Sequence, residues 1–184
     1  MNIIAIVGMP GAGKSILAGH FRGAGYPVVH FGDIILDEVK RRGLPVTPLN
    51  EQIVREELRE KIGMDVCARL SLPLIKEKLK EHSVIVIDGL YSFSEYKTLS
   101  ETFGESLVVV AVFTSKQLRY DRLASRVERP LRREEARERD FREVEKIEKG
   151  GPIALADYTL LNNGTTVNLI HEAEKLLALI VEKV

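Results

Sequence analysis

Gly8-Met9-Pro10-Gly11-Ala12-Gly13-Lys14-Ser15 follows directly on the apolar run Ile3-Ile4-Ala5-Ile6-Val7. The octapeptide satisfies G-x-x-x-x-G-K-[ST] in full, the phosphate-binding loop that leads from a buried strand into a helix. Such a loop needs both flanks, because its own amides and those of the first helical turn together make the anion cradle. Both flanks fit. The run before Gly8 has the composition of a buried strand, and Lys14 to Ala24 carries helix formers with apolar residues at Ile16, Leu17 and Phe21. Gly8, Gly11 and Gly13 admit dihedrals and a close phosphate approach that a Cβ would obstruct. Lys14 sets a cation against the β- and γ-phosphates, and the Ser15 hydroxyl is placed to ligate Mg²⁺. The eight residues, Met9, Pro10 and Ala12 included, are the expected seat of a nucleoside triphosphate.

Outward from this loop, four more short apolar runs read as core strands: Val28 to Phe31, Val84 to Ile87, Leu107 to Phe113 and Tyr158 to Leu161. Helical character separates them at Lys14 to Ala24, Asp33 to Arg42, Glu51 to Ile62, Asp65 to Glu81, Ser115 to Arg126 and Val167 to Val184. Val- and Ile-rich strands alternating with helices predict an α/β fold, a parallel sheet covered on both faces. In such sheets ligands gather outside the carboxyl ends of the strands, so the residues that follow each run are the ones to weigh.

After the third run comes Asp88-Gly89. A carboxylate there, paired with the loop at Gly8, is the expected Mg²⁺ partner of Ser15. The next residue is glycine where hydrolytic relatives of such loops commonly hold a water-orienting glutamate, which argues for phosphoryl transfer over ATP-driven mechanical work. After the second run comes Gly32-Asp33, where a carboxylate would lie near the γ-phosphate on the acceptor side and could take a proton from a hydroxyl or order Mg²⁺-bound water. Asp33 is equally well placed to cap the helix that follows, and the two roles are compatible.

Nine arginines fall between Arg119 and Arg142, and Arg119, Arg122, Arg126 and Arg129 would share one stripe on a continuing helix. Arginines closing over a transferring phosphoryl group make a lid, with Arg122 and Arg126 its strongest members and Pro130 a hinge. The competing reading is a solvated face, since Glu128, Glu134, Glu135, Glu138 and Asp140 are interleaved. Asn162-Asn163-Gly164-Thr165 after the fifth run is a turn sequence.

The chain is 184 residues long, enough for one domain with a substantial core, and its 27 Lys plus Arg equal its 27 Asp plus Glu. That balance gives no global pull toward nucleic acid or membrane, and the arginine cluster lacks the interleaved aromatics that base stacking needs. The single cysteine, Cys67, excludes an internal disulfide and suits a reducing compartment. No apolar run approaches the roughly 18 residues of a membrane span. A cytoplasmic protein is expected, and a high charge content with two glutamines leans toward a thermophilic source.

Taken together, Gly8 to Ser15, Gly32-Asp33, Asp88-Gly89, the arginines from Arg122, and Ala156-Asp157-Tyr158 leading to Asn162-Asn163-Gly164 resemble the nucleoside monophosphate kinase group of P-loop proteins. The set is most similar to a small archaeal family described as similar to dephospho-CoA kinase and broad-specificity nucleotide kinases. The resemblance implies strand order 2-3-1-4-5, one kinase-like domain over residues 1–184, an acceptor-binding helical region around 34–80 and a lid around 119–142. It also implies ATP and Mg²⁺ as ligands, Asn163 and Gly164 beside the adenine, and a nucleotide or nucleotide-like acceptor. Lys14, Asp33, Arg122 and Arg126 would carry the transfer. Adenylate kinase-like members place arginines where this chain has Leu36 and Tyr91-Ser92, so the acceptor's anion, if it has one, must be held by Arg41, Arg42, Arg55 or lid arginines. In dephospho-CoA kinases an aspartate at the place of Asp33 serves as base toward a hydroxyl. A nucleotide-dependent switch or partner-binding module without transfer is the alternative that Leu36 and Tyr91 favour.

Overall fold

A computed structural model describes residues 2–182. Five strands, β1 (Asn2–Val7), β2 (Val28–His30), β3 (Val84–Asp88), β4 (Leu107–Phe113) and β5 (Tyr158–Leu161), form one sheet in the order β2-β3-β1-β4-β5. Every pairing is parallel. The α/β class and the strand order expected from the sequence are both present.

The sheet separates two apolar cores. Along β1, Ile3, Ala5 and Val7 enter one, and Ile4 and Ile6 enter the other, so all six residues of the strand are buried. The second core is closed by α1 (Lys14–Gly23) and α9 (Thr166–Glu182), which contribute Leu17, Ala18, Phe21, Leu169, Ala173, Leu176 and Ile180. Residues 183 and 184 of the expected last helix lie outside the described residues. The first core is covered by α2 (Gly32–Arg41), α3 (Pro48–Ile62), α4 (Val66–Lys78) and α5 (Phe93–Phe103). No helix among the described residues is long and apolar enough to cross a membrane.

Three expectations change. Helix α2 starts at Gly32 with Phe31 in the cap position, and no side chain caps it, so Asp33 is a first-turn residue and not the N-cap. Phe31 is fully buried, and its amide still donates to Asp88 O at 3.0 Å before the chain enters the helix. Helix α6 (Lys116–Ala124) ends with Ser125 as its C-cap, so the four-arginine stripe does not form: Arg119 and Arg122 ride the helix, and Arg126 and Arg129 lie beyond it. Pro130 therefore interrupts no helix. Finally, α5, α7 (Arg133–Glu145) and α8 (Gly150–Ala154) were not expected.

Helix α5 has a full capping box: the Ser92 hydroxyl accepts from the Glu95 amide at 3.1 Å, and Glu95 Oε2 accepts from the Ser92 amide at 3.1 Å and the Tyr91 amide at 2.7 Å. Ser92 also donates to Met64 O at 3.1 Å, joining the start of α5 to the turn before α4. Ser92→Ala should lower unfolding free energy by about 1–2 kcal/mol, the usual cost of a lost cap, read by chemical denaturation. An unchanged denaturation midpoint would show that the box does not hold the helix.

Candidate functional site

The loop from Gly8 to Ser15 joins β1 to α1, and its carbonyls are held by side chains from four directions. Lys14 Nζ donates to Gly8 O at 2.7 Å and Met9 O at 3.3 Å. Arg119 Nη1, from α6, donates to Pro10 O at 2.9 Å. Asn162 Nδ2, at the end of β5, donates to Ala12 O at 2.8 Å, and Thr114 Oγ1 stands 3.0 Å from the same oxygen. With the carbonyls engaged, the amides of Gly13, Lys14 and Ser15 donate to no protein group among the described residues. That is the donor arrangement an anion requires. Gly13 has φ 105°, and a Cβ there would sit on the Asn162 amide nitrogen, so the position excludes every other residue twice over.

Lys14 is partly buried in a dense set of charges. Burial first, then the Lys149 ammonium, push its pKa from the ordinary 10.5 to about 7, against the pull of Glu143 and Asp88. Lys149, 1% exposed, is ion-paired with Glu143 and lies 4.9 Å from the centre of the Tyr91 ring. Arg139 Nε is 3.7 Å from the other Glu143 oxygen. Burial opposes ionisation of Glu143, but Lys149, Arg139 and Lys14 together outweigh it and hold the carboxyl below the usual range. None of Glu143, Lys149 or Arg139 was singled out from the sequence, because their mutual ion pairs are short-range and nothing in them points to Lys14, more than a hundred positions away, on which their charges act.

Two expected carboxylates stand at neighbouring strand ends. Asp88 closes β3 and is paired in register with Ile6 of β1 and His30 of β2. Gly89, at φ 99°, leaves room for the Tyr91 ring, whose atoms come within 2.8–2.9 Å of where a Cβ would be. Burial, followed by the Asp88 charge, pushes the Tyr91 hydroxyl well above its ordinary range. Asp33 is exposed, and its Oδ1 lies 2.9 Å from His30 Nδ1. His30 is a site residue that sequence reasoning missed. A Cβ on Gly32 would strike its ring, so the G-D dipeptide is also a seat for His30.

The arginines divide. Arg122 Nη2 donates to Asn162 O at 2.9 Å and Nη1 to Thr114 Oγ1 at 3.3 Å, so its guanidinium stands beside the network that braces Ala12. Arg119, buried, forks onto Asp140 of α7 at 2.9 and 2.6 Å. Arg126, past the end of α6, is exposed, and burial followed by the Arg139 charge pushes its guanidinium downward. Arg132 is exposed and pairs with Glu135 at 3.1 Å, the solvated-face arrangement. Asn163 Oδ1 accepts from the Ser115 amide at 2.9 Å, and Gly164 follows it in the turn after β5, next to Asn162 and the loop.

Residues 7–148 match the family described as AAA domain. A UPF0200 protein of Thermococcus kodakarensis is 38% identical over 184 residues, covering 98% of this chain and 99% of that one. Among solved structures, a gluconokinase from Sinorhizobium meliloti superposes with a TM-score of 0.60 at 17% identity, covering 99% of this chain and 94% of that one. A shikimate kinase from Acinetobacter baumannii in complex with shikimate does so with a TM-score of 0.55 at 20% identity, covering 100% and 94%. At these identities the two kinases establish the shared fold. The chain belongs to the UPF0200 family, carries an AAA domain match over residues 7–148, and has the P-loop fold that these two kinases share.

Proposed function

We propose that this protein is an ATP- and Mg²⁺-dependent phosphotransferase acting on a small nucleotide or nucleotide-like molecule. The observation that carries the reading is the braced loop: four carbonyls fastened outward, the amides of Gly13, Lys14 and Ser15 left over, and a desolvated Lys14 at their centre. These residues fit a triphosphate. Ser15 and Asp88 would hold the Mg²⁺, which would supply charge neutralisation on the phosphates.

Each side chain then has a task. Lys14 and the loop amides hold the β- and γ-phosphates. Asn163 and Gly164 face the base. Asp33, steadied by His30, takes the acceptor's proton as the acceptor oxygen bonds to the γ-phosphorus and the bond to the β–γ bridging oxygen breaks, releasing ADP. Arg126, whose guanidinium feels the charge of Arg139, answers developing charge on the transferred group, while Arg122 supports the loop and the base-side turn. Helices α2 to α4 form the acceptor side. The lid is residues 125–132, between α6 and α7, since α7 itself is anchored by the Arg119–Asp140 fork. Incubation with ATP and Mg²⁺ and a panel of nucleotides, dephospho-CoA and nucleosides should yield ADP together with a phosphorylated product. ADP without product would make the protein a slow hydrolase or switch, and neither would make it a binding module.

Lys14 yields a pH prediction. Free, it is mostly neutral at pH 8 because its pKa is about 7; beside a polyanion its charged form is favoured. ATP binding at pH 8 should therefore take up close to one proton, falling toward none at pH 6, read from calorimetric enthalpies in buffers of different ionisation heat. Lys14→Ala should abolish the uptake and most of the affinity. Equal enthalpies in all buffers at pH 8 would show that Lys14 is charged before ATP arrives.

Asp33→Asn should keep the contact to His30 and lose the base, lowering transfer by about a hundredfold or more with little change in ATP affinity. A variant with full transfer rate would remove Asp33 as base, and one with weakened Mg²⁺-dependent ATP binding would reassign it to the metal.

A further inference from the structure

The acceptor side carries five arginines on α2 to α4 or at their ends: Arg41, Arg42, Arg55, Arg59 and Arg69. Three are already committed. Arg41 forks onto Glu38 at 2.6 and 2.7 Å, Arg42 binds Glu38 at 2.8 Å and Glu57 at 2.7 Å, and Arg69 binds Asp65 at 2.6 Å. Arg55 and Arg59 make no hydrogen bond or ion pair among the described residues, and both are only partly exposed. Arg59 Nε is buried with no partner. A buried charged donor left unmatched is costly and needs a reason.

Their placement supplies one. Glu51, Arg55 and Arg59 fall at i, i+4 and i+8 and share one side of α3. At its N-terminal end Glu51 receives Arg129 of the 125–132 segment at 3.2 Å. Further along, the Arg55 charge acts on Tyr91, the ring that also feels Asp88, and Arg59 acts on Glu95 at the start of α5. The stripe thus runs from the lid segment to the carboxyl end of β3. Glu95 does not consume Arg59: its Oε2 is taken by the Tyr91 and Ser92 amides, while its Oε1 and Arg59 Nε each lack a partner and so do not meet.

Resting on the phosphotransferase reading, we infer that Arg55 and Arg59 form the anion subsite of the acceptor, which makes the acceptor an oxyanion, a phosphate monoester or a carboxylate. Two guanidinium forks one helical turn apart on one side of α3, with neither hydrogen bond nor ion pair among the described residues, provide the cationic donors that Leu36 and Tyr91 do not. A neutral nucleoside or sugar would leave them unmatched.

The test uses the full chain with its loop filled by a non-hydrolysable ATP analogue and Mg²⁺, titrated calorimetrically with AMP, D-gluconate and neutral adenosine. AMP or gluconate should bind and adenosine should not, the first anion indicating a phosphate and the second a carboxylate. Arg55→Ala and Arg59→Ala, or the longer Arg55→Gln and Arg59→Gln if the alanine variants fail to fold, should each weaken the anion by about tenfold or more, as expected for a lost charge-assisted bond. Arg41→Ala, whose partner is Glu38, should not. Anion binding unchanged in the Arg55 and Arg59 variants, adenosine binding as well as AMP, or no anion binding in the wild type would each overturn the inference. Failure of the analogue itself to bind would strike the phosphotransferase reading instead, and the same anion titration on Lys14→Ala protein would still read the α3 site.

Discussion

The structure depends on fastening the carbonyls of one loop. A backbone can present several amides to one point only if its carbonyls turn away, and a carbonyl turned into the protein without a partner costs about 1–3 kcal/mol. Here Gly8, Met9, Pro10 and Ala12 are all matched, by α1, α6 and the ends of β4 and β5. The loop is therefore a consequence of the register of an edge strand. Asp157 accepts from the Val109 amide at 2.7 Å at one end of β5, and the Asn162 amide donates to Phe113 O at 2.7 Å at the other. A slip of one residue would turn Asn162 to the opposite face and release Ala12.

Buried charge does a second job. Arg119 joins Pro10 of the loop to Asp140 of α7, and the Tyr120 hydroxyl reaches the same carboxylate at 3.2 Å. A buried pair of this kind adds little net stability against an apolar substitute, yet removing one partner costs about 3–5 kcal/mol, so it selects one arrangement over its near alternatives. The arrangement selected brings Glu143 and Arg139, on the same helix, to Lys14. The Lys149–Glu143 pair does the same from the chain that follows α7.

This division explains what the sequence disclosed. The three central strands β1, β3 and β4 were legible because burial on both faces demands nearly unbroken apolar runs, the edge strands β2 and β5 by their short apolar runs alone, and the loop because its glycines are sterically compulsory. Helix α5 is announced by the S-x-x-E signature at Ser92 and Glu95, directly after Tyr91. Helix α7 was hidden because Arg133 to Glu145 buries only Ala136, Asp140 and Glu143, two of them charged, so no apolar period exists to read. The arginine stripe failed at Ser125 for a related reason: spacing predicts a shared face only while the helix lasts. The charges around Lys14 could not be read at all, since Lys149 and Glu143 are set by tertiary contact alone.

Tyr91 links the two halves of the site. Its ring fills the space that Gly89 leaves beside Asp88, and the Lys149 ammonium lies against it. An arginine at this position would put a third cation against Lys149 and Lys14, in a place where Lys14 is already driven toward neutrality by burial and then by Lys149. Like charges in low dielectric repel strongly, so the aromatic ring answers a charge density that the phosphate end has already reached. The cations needed for an anionic acceptor must then come from a helix outside that set. Helix α3 is such an element, with Arg55 and Arg59 uncommitted while Arg42 is drawn off by Glu38 and Glu57. The pairing of Arg42 and the freedom of Arg55 are in this sense one fact: Glu57 turns to Arg42 across the neighbouring helix, and its removal would leave Arg42 on Glu38 and create no new anion subsite beside Tyr91.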